Sequence, residues 1–243
     1  NPHYLAAGAT RLGTTAKVGI EYTGNTYSGL MQHSWDMAKT ECTFCHAPDK
    51  TDHSFSVEAN FETGTCAACH TGADHLDRIK IGSRRWVDYN GNGKNDENTK
   101  DELAGIASDL LARIQVVSRD PAYGKAICFS DGNPYWFRDE DGNGVCDATD
   151  TNSFTTFSPK LLSAAFNYKL YSAEPGAWAH NFDYVAQLLI DGLRDLAGAG
   201  SVTVGTTTEK GTPYTIPQAC VTNAHCASGA EPAHRLRPQE SLQ

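Results

Sequence analysis

The chain is organised around two motifs, Cys42-Thr43-Phe44-Cys45-His46 and Cys66-Ala67-Ala68-Cys69-His70. Each is a C-x-x-C-H motif, in which two thiols bind the vinyl groups of a porphyrin as thioethers and the next residue supplies an axial imidazole. Two intervening residues set the thiols at the separation of the two vinyl groups. The sequence therefore predicts two haem c groups, with thioethers from Cys42, Cys45, Cys66 and Cys69 and proximal iron ligands His46 and His70.

Other uses of these thiols fit the sequence less well. A four-cysteine zinc site would not require a histidine directly after each cysteine pair. A thioredoxin-like dithiol would be expected in a βαβ setting, which the residue pattern does not show. Chance is also insufficient, because eight cysteines and nine histidines in 243 residues would produce roughly 0.01 such motifs at random.

The composition bounds the class and the location of the protein. Hydrophobic residues make up 40% of the chain and charged residues 20%, and no apolar run reaches the ~18 residues of a membrane span. The formal net charge of −9 argues against nucleic acid and favours cationic or mineral partners. Because c-type haem is attached outside the cytoplasmic membrane and the chain starts at Asn1, we expect an exported protein whose signal peptide has been removed, located outside the cell or at its surface.

Four cysteines remain outside the haem motifs, namely Cys128, Cys146, Cys220 and Cys226. An even remainder in an oxidising compartment suggests two disulfides, for which three pairings exist. The pairs closest in sequence, Cys128 with Cys146 and Cys220 with Cys226, are favoured over the alternatives, and free thiols are the competing interpretation.

The loop Asp88-Tyr89-Asn90-Gly91-Asn92-Gly93-Lys94-Asn95-Asp96 resembles the first part of an EF-hand-like calcium loop. Oxygen side chains fall at positions 1, 3, 5 and 9, glycine at 6 and the Lys94 carbonyl at 7. Position 12 is Thr99, so the bidentate carboxylate would come from Glu97, Asp101 or Glu102. The predicted calcium ligands are Asp88, Asn90, Asn92, Lys94 and Glu102, and a hydrated turn is the alternative.

A second loop fits the calcium pattern better. Positions 1, 3, 5, 6, 9 and 12 are occupied by Asp139, Asp141, Asn143, Gly144, Asp147 and Asp150, with the Val145 carbonyl at 7. The predicted ligands are Asp139, Asp141, Asn143, Val145 and Asp150, against a hydrated acidic turn.

The predicted fold is mainly α-helical, with much irregular structure and short β-hairpins. Apolar periodicity predicts helices over residues 101–118, 159–173 and 180–198, the last two separated by a Pro-Gly turn. Residues 1–32 are predicted to be extended or turn structure, with a hairpin around Thr23-Gly24-Asn25. A second hairpin is predicted around Asp131-Gly132-Asn133-Pro134.

The chain divides into three parts by composition. Residues 1–82 form a haem-binding segment, and residues 83–200 form a helical part with the calcium-type loops, packed with the first as one domain. Residues 201–243 are rich in Thr, Gly and Pro and are predicted to form a strap or tail.

Five segments together resemble a family of extracellular multihaem c-type cytochromes, with the likeness extending over about residues 1–198. These are Asn1-Pro2-His3-Tyr4-Leu5-Ala6-Ala7, residues 42–70, Val87-Asp88-Tyr89-Asn90-Gly91-Asn92-Gly93, Asp141-Gly142-Asn143-Gly144-Val145 and Pro175-Gly176-Ala177-Trp178-Ala179-His180-Asn181. The resemblance implies bis-histidine ligation and outward electron transfer. Several members assemble into filaments whose haems form a conducting chain. A polypeptide with two motifs carries only two haems. A longer row of haems could therefore form only by repetition of the subunit.

Each iron needs a sixth ligand unless a site stays open for chemistry. The candidates for the distal position are His53, His33, His180 and His3, ranked ahead of His75, the tail histidines and the two methionines. His33 and His53 flank the first motif closely enough for a few residues of extended chain to reach a haem. His180 is expected to begin a helix after a tight turn. His3 lies near a terminus, from which it could reach the iron of a neighbouring subunit.

The predicted function is outer-sphere electron transfer by a dihaem c-type cytochrome that is not an enzyme. Its predicted partners are copies of itself in a filament, and redox proteins or extracellular electron acceptors. The alternatives are a dihaem peroxidase-like enzyme with one open axial site, a monomeric soluble shuttle, and a structural filament in which the haems act mainly as cross-links.

Overall fold

The computed structural model describes residues 2–33, 41–47, 55–62, 66, 70–79, 88–92, 94, 96–120 and 126–197. Along these residues the main elements are α1 (Pro2–Leu12), α2 (Cys42–Cys45), α3 (Val57–Glu62), α4 (Thr99–Ser118), β1 (Ala126–Phe129), β2 (Trp136–Asp139), α5 (Pro159–Ala173), α6 (Ala177–His180) and α7 (Phe182–Ala197). Short 3-10 helices cover Gly13–Thr15 and Leu76–Arg78. The predicted mainly helical character, with a small antiparallel hairpin, is confirmed.

Helices α4, α5 and α7 pack against one another and form the core. Helix α4 starts after Asn98, whose side chain accepts a hydrogen bond from the backbone N–H of Asp101 at 2.8 Å. Such an N-cap satisfies a donor that the first helical turn leaves open. The helix buries an apolar stripe at the three- and four-residue spacing that faces a core, formed by Leu103, Ile106, Leu110 and Ile114.

The region after α5 differs in detail from the prediction. The helix expected over residues 180–198 corresponds to α7, which begins at Phe182, and His180 ends the separate short helix α6 instead of beginning a helix. Asn181 makes the break, since its side chain accepts a hydrogen bond from the N–H of Tyr184 at 3.2 Å and thereby caps α7. His180 is therefore held between two helices.

The second predicted hairpin is present. Strands β1 and β2 pair antiparallel with Ala126 opposite Asp139 and Phe129 opposite Trp136. Cys128 in β1 forms a disulfide with Cys146, with the Cα atoms 5.2 Å apart. The other proposed pair, Cys220 and Cys226, lies outside the described residues, as does the whole of residues 201–243.

The N-terminal prediction was wrong in two respects. Residues 2–12 form helix α1 instead of extended structure. Pro2 suits the first position of a helix and the following Leu5, Ala6 and Ala7 favour helix, a local preference that outweighed the turn-like composition further on. The chain has no strand over residues 16–33, so the expected hairpin around Gly24 does not form.

Side-chain amides of α5 and α7 hydrogen-bond the backbone of this segment, where a second hairpin strand was expected to do so. Asn167 of α5 accepts a hydrogen bond from the N–H of Ile20 at 2.8 Å and donates one to the Ile20 carbonyl at 3.0 Å. Gln187 of α7 accepts a hydrogen bond from the N–H of Ser28 at 2.8 Å. Both amide side chains are buried. The segment therefore lies along α5 and α7 with backbone groups satisfied by the helices, as buried backbone groups require.

None of the helices in the described part of the chain has the length and apolar character needed to cross a membrane.

Candidate haem-binding site

Both C-x-x-C-H motifs close the same backbone turn. The N–H of His46 donates to the carbonyl of Cys42 at 2.8 Å, and the N–H of His70 donates to the carbonyl of Cys66 at 2.9 Å. In the first motif this turn is α2, with His46 directly after it. Each histidine is thus fixed one helical turn after the first thiol of its motif, the arrangement that the haem attachment chemistry requires.

The two motifs lie next to each other and next to the end of α1. Burial is the largest cause that raises the pKa of the Cys45 thiol, and the neighbouring Cys66 raises it further, while Arg11 lowers it. Arg11 also points Nη1 at the Sγ of Cys42, 3.8 Å away. The unexpected helix α1 therefore contributes a wall of the site.

His46 faces His180, with ring centroids 6.2 Å apart and an interplanar angle of 38°. The Nδ1 of His46 lies 3.0 Å from the carbonyl oxygen of Phe55, so this nitrogen carries the proton and donates it. The Nε2 of His46 is then left with its lone pair, as a metal-binding imidazole needs.

His180 lies beside a buried acid. Its Nδ1 lies 3.3 Å from Oε1 of Glu174, whose side chain is fully buried, while 22% of the His180 side chain is exposed. The backbone N–H of Gly176 also donates to Glu174 Oε1, at 2.9 Å. Nδ1 of His180 makes no hydrogen bond at this distance, so the carboxylate acts on the ring through its negative charge, which makes the other nitrogen a stronger ligand.

A second pair brings His70 and His33 together, with ring centroids 5.8 Å apart and an interplanar angle of 51°. Burial and, after it, the neighbouring His33 lower the pKa of His70. The neutral imidazole, the form in which histidine binds a metal, is therefore favoured at this position.

These pairs test whether the residues fit haem. Two imidazole nitrogens bound to opposite sides of one metal at about 2 Å each place the ring centroids roughly 6 Å apart. The observed separations of 6.2 Å and 5.8 Å agree with that arrangement. Together with the described motif cysteines Cys42, Cys45 and Cys66, this donor set fits one haem iron between His46 and His180 and another between His70 and His33.

The remaining histidine candidates are not brought to these pairs by the described residues. His53 lies outside the described residues, and the side chain of His3 is not among those described. His75 accepts a hydrogen bond from the N–H of Asp77 at 3.3 Å and lies 4.0 Å from Glu58, so it caps the 3-10 helix Leu76–Arg78 at the surface.

The chain is 28% identical over 222 residues to the C-type polyheme cytochrome OmcB of Geobacter sulfurreducens, which covers 79% of this chain and 26% of OmcB. It is 27% identical over 222 residues to the C-type polyheme cytochrome OmcC of the same organism. The chain is related to the multihaem c-type cytochromes. It spans about a quarter of the length of these two multihaem cytochromes. No family model and no solved structure matches the chain.

The multihaem relatives support the haem c prediction made from the two motifs. Both are named as polyheme cytochromes, in agreement with the prediction of a c-type cytochrome.

Two contacts of this site were not predicted from the sequence. Glu174 stands directly before Pro175-Gly176, where it suggests only a turn. The carbonyl of Phe55 has no sequence signal at all, although Phe55 adopts the left-handed backbone region with φ 58°, which is uncommon for a bulky residue. Only the pairing of a buried carboxylate with a nearby histidine could have suggested Glu174, and that pairing needs the fold.

The first calcium-type loop packs on the start of α4. Glu102 is buried, and its Oε2 accepts hydrogen bonds from the N–H of Tyr89 at 2.8 Å and of Asn90 at 2.9 Å. Burial is the main reason that the pKa of Glu102 is raised to about 8; the two backbone hydrogen bonds lower it, and Asp88 and Glu97 raise it. Asp88 and Asn90 are buried beside it.

The second calcium-type loop satisfies its buried acids internally. Asp139 accepts hydrogen bonds from the N–H groups of Gly142 and Gly144, at 2.8 and 2.9 Å. Asp150 accepts from those of Glu140 and Asp147, at 2.8 and 3.0 Å. In the described part of the chain, no three side chains of His, Cys, Asp or Glu converge on one point where a metal ion could be held. Any cation at either loop would therefore depend on amide and backbone carbonyl oxygens as well.

Proposed function

We propose that the chain is a dihaem c-type cytochrome outside the cell that carries electrons by outer-sphere transfer. The observation that supports this best is the pair of histidine contacts, His46 with His180 and His70 with His33, at centroid separations of 6.2 and 5.8 Å. In this proposal His180 and His33 are the distal ligands, and both irons are closed within one chain.

The chain's own residues hold the ligands rigidly. The Phe55 carbonyl accepts a hydrogen bond from Nδ1 of His46, and the Glu174 carboxylate lies 3.3 Å from Nδ1 of His180. Haem c, when bound, supplies a one-electron redox centre. Double ligation by oriented imidazoles limits rearrangement between oxidation states and leaves no coordination position for substrate, which favours electron transfer over a peroxidase-like reaction.

The position of the two motifs supports transfer between the haems. Cys45 and Cys66 belong to different motifs, yet the charge of one raises the pKa of the other. The two covalent attachment points are therefore neighbours in the folded chain. Electrons would pass from a redox partner protein to one haem, then to the other, and onward to an external acceptor.

Assembly into a filament is part of this proposal but is not required by the ligand pairs. With His33 and His180 as distal ligands, neither iron needs His3 from a second copy. Copies would then have to associate through their surfaces, bringing haems of successive subunits close together. Electron micrographs of the native protein separate filaments from the monomeric shuttle.

Carbon monoxide binding tests the ligand assignment. The haem-loaded protein should show two low-spin haems per chain and should not bind carbon monoxide. We expect His180→Ala and His33→Ala each to open one haem, detected as carbon monoxide binding to half of the haem content, while the surface variant His75→Ala leaves both closed.

Two outcomes would contradict the proposal. Carbon monoxide binding and peroxide turnover by the unmodified protein would move the function to an enzyme. Unchanged, closed haems in both His180→Ala and His33→Ala would show that other histidines, such as His53 or His3, are the distal ligands.

A further inference from the structure

Glu102 in the first turn of α4 has one carboxylate oxygen without a partner. Only 3% of the residue is exposed. Its Oε2 accepts two backbone hydrogen bonds from the 88–92 loop, whereas the buried Oε1 accepts none. Burying an uncompensated carboxylate oxygen is strongly unfavourable, so this oxygen is suited to bind a further group.

This further group should carry positive charge. The acidic side chains that act electrostatically on Glu102 are those of Asp88 and Glu97. In the residues that the structure describes, no lysine or arginine pairs with Glu102. Lys94 lies 4.0 Å from Glu97, and its side chain is 68% exposed. Among the described residues, Asp88 and Glu97 therefore act on Glu102 with negative charge, and no lysine or arginine pairs with Glu102.

The loop beside Glu102 contains several kinds of oxygen atom that can bind a cation. Asp88 and Asn90 accept a shared hydrogen bond from the N–H of Asn92, at 3.1 and 3.0 Å, and Asn92 accepts one from the N–H of Lys94 at 2.8 Å. These bonds bring the side-chain oxygens of Asp88 and Asn90 to the same N–H group. Calcium binds six to eight oxygens from carboxylates, amides and backbone carbonyls, whereas magnesium demands a stricter octahedron and retains water.

We propose that Asp88, Asn90, Asn92, the carbonyl of Lys94 and Glu102 bind one calcium ion. Glu102 then supplies the carboxylate that position 12 of an EF-hand loop would otherwise provide. It reaches the loop from the first turn of the following helix. This inference concerns a structural metal and does not depend on the haem ligand assignment.

Helix α4 has a glycine at the position where the loop packs against it. A Cβ atom at Gly105 would lie 2.4 Å from Nδ2 of Asn90 and 2.7 Å from its Cβ, so only glycine allows Asn90 to lie against α4. Asn90 Nδ2 also donates to Glu97 at 2.9 Å. The position of one proposed ligand is thus fixed by packing as well as by hydrogen bonds.

The ion would connect α4 to the segment that carries His180. Between the two proposed ligands Asp88 and Asn90, the ring of Tyr89 packs edge-on against Phe182 with centroids 4.8 Å apart. Phe182 starts α7, two residues after His180. A bound cation would hold Tyr89 in this contact and stabilise the junction of α6 and α7.

Calorimetric titration of the haem-loaded protein with calcium chloride tests the site. The variants are Glu102→Gln and its control Asp101→Asn, which removes the same charge from an exposed neighbour on the same helical turn. We expect Glu102→Gln to bind one calcium ion fewer per chain than the unmodified protein and Asp101→Asn. Because the result is the difference in the number of calcium ions bound per chain, an ion in the 139–150 loop does not affect it.

Equal calcium stoichiometry and affinity in all three proteins would overturn the proposal, as would an absence of calcium binding in the unmodified protein. If Glu102→Gln does not fold, Asn92→Ala carries the test, because Asn92 is exposed and its truncation leaves no cavity. Weakening of calcium binding by about tenfold or more in Asn92→Ala supports the site. Unchanged affinity in that variant rejects it.

Discussion

The carboxylate of Glu174 lies 3.3 Å from Nδ1 of His180, whose ring centroid is 6.2 Å from that of His46. Because Glu174 is buried, its charge acts on the imidazole with little screening by water. A partial negative charge on a distal ligand stabilises the oxidised iron and lowers the reduction potential.

If His180 is the distal ligand that we propose, Glu174→Gln should raise the potential of its haem by on the order of 60 mV, which corresponds to a tenfold change in a one-electron equilibrium. A spectroscopic redox titration measures this. The control is Asp131→Asn, which removes the same charge from an exposed residue bonded to Ser172 of α5. Equal potentials in Glu174→Gln and the unmodified protein would show that Glu174 does not act on the iron.

Gly176 leaves space for the ring of His180. A Cβ atom at this position would lie 2.6 Å from Cε1 and 2.8 Å from Nδ1 of His180. We expect Gly176→Ala to displace the imidazole and to produce a high-spin haem that binds carbon monoxide, visible in the absorption spectrum. The matched change Gly8→Ala meets no atom within 4 Å and should leave both haems low-spin. A low-spin, closed spectrum in Gly176→Ala would argue against His180 as a ligand.

The proximal half of the candidate site could be predicted from sequence, whereas the distal half could not. Covalent attachment fixes Cys42, Cys45 and His46 at adjacent positions, so the chemistry is visible in a five-residue pattern. His33 and His180 reach the haem sites from separate segments, and four histidines satisfied the sequence criteria equally well. The two that we propose, His33 and His180, are suggested only by the packing of the N-terminal segment and of α6.

The same contrast holds for the fold. The apolar periodicity of α4 and α5 faces one core, and it predicted both helices well. The segment after α1 has turn residues typical of a hairpin, but its hydrogen-bond partners are Asn167 and Gln187, far along the chain. Hydrogen bonds to such distant side chains leave no periodic pattern in the sequence. The turn residues alone therefore predicted a hairpin that does not form.

A variant of Asn167 tests whether these side-chain hydrogen bonds stabilise the segment after α1. Changing Asn167 to Leu keeps a similar volume but removes the hydrogen bonds to the N–H and carbonyl of Ile20. We expect the free energy of unfolding to fall by about 2–4 kcal/mol, since each unsatisfied buried group contributes roughly 1–3 kcal/mol. Denaturant titration of the haem-loaded protein measures the loss. The exposed change Asn152→Leu should alter stability by less than about 0.5 kcal/mol, and an equally small effect at Asn167 would mean that water satisfies Ile20.

The disulfide between Cys128 and Cys146 joins β1 to the second calcium-type loop across a sequence separation of 18 residues. Closing a loop of that length restricts the unfolded chain and stabilises the folded state by about 3 kcal/mol. We expect the double change of Cys128 and Cys146 to Ala to lower the free energy of unfolding by that amount while both haems stay low-spin, because the disulfide lies outside the histidine pairs. Denaturant titration gives the first quantity and absorption spectra the second. Opening of a haem in this variant would instead mean that the hairpin and the 139–150 loop help to hold His33 or His180 in place.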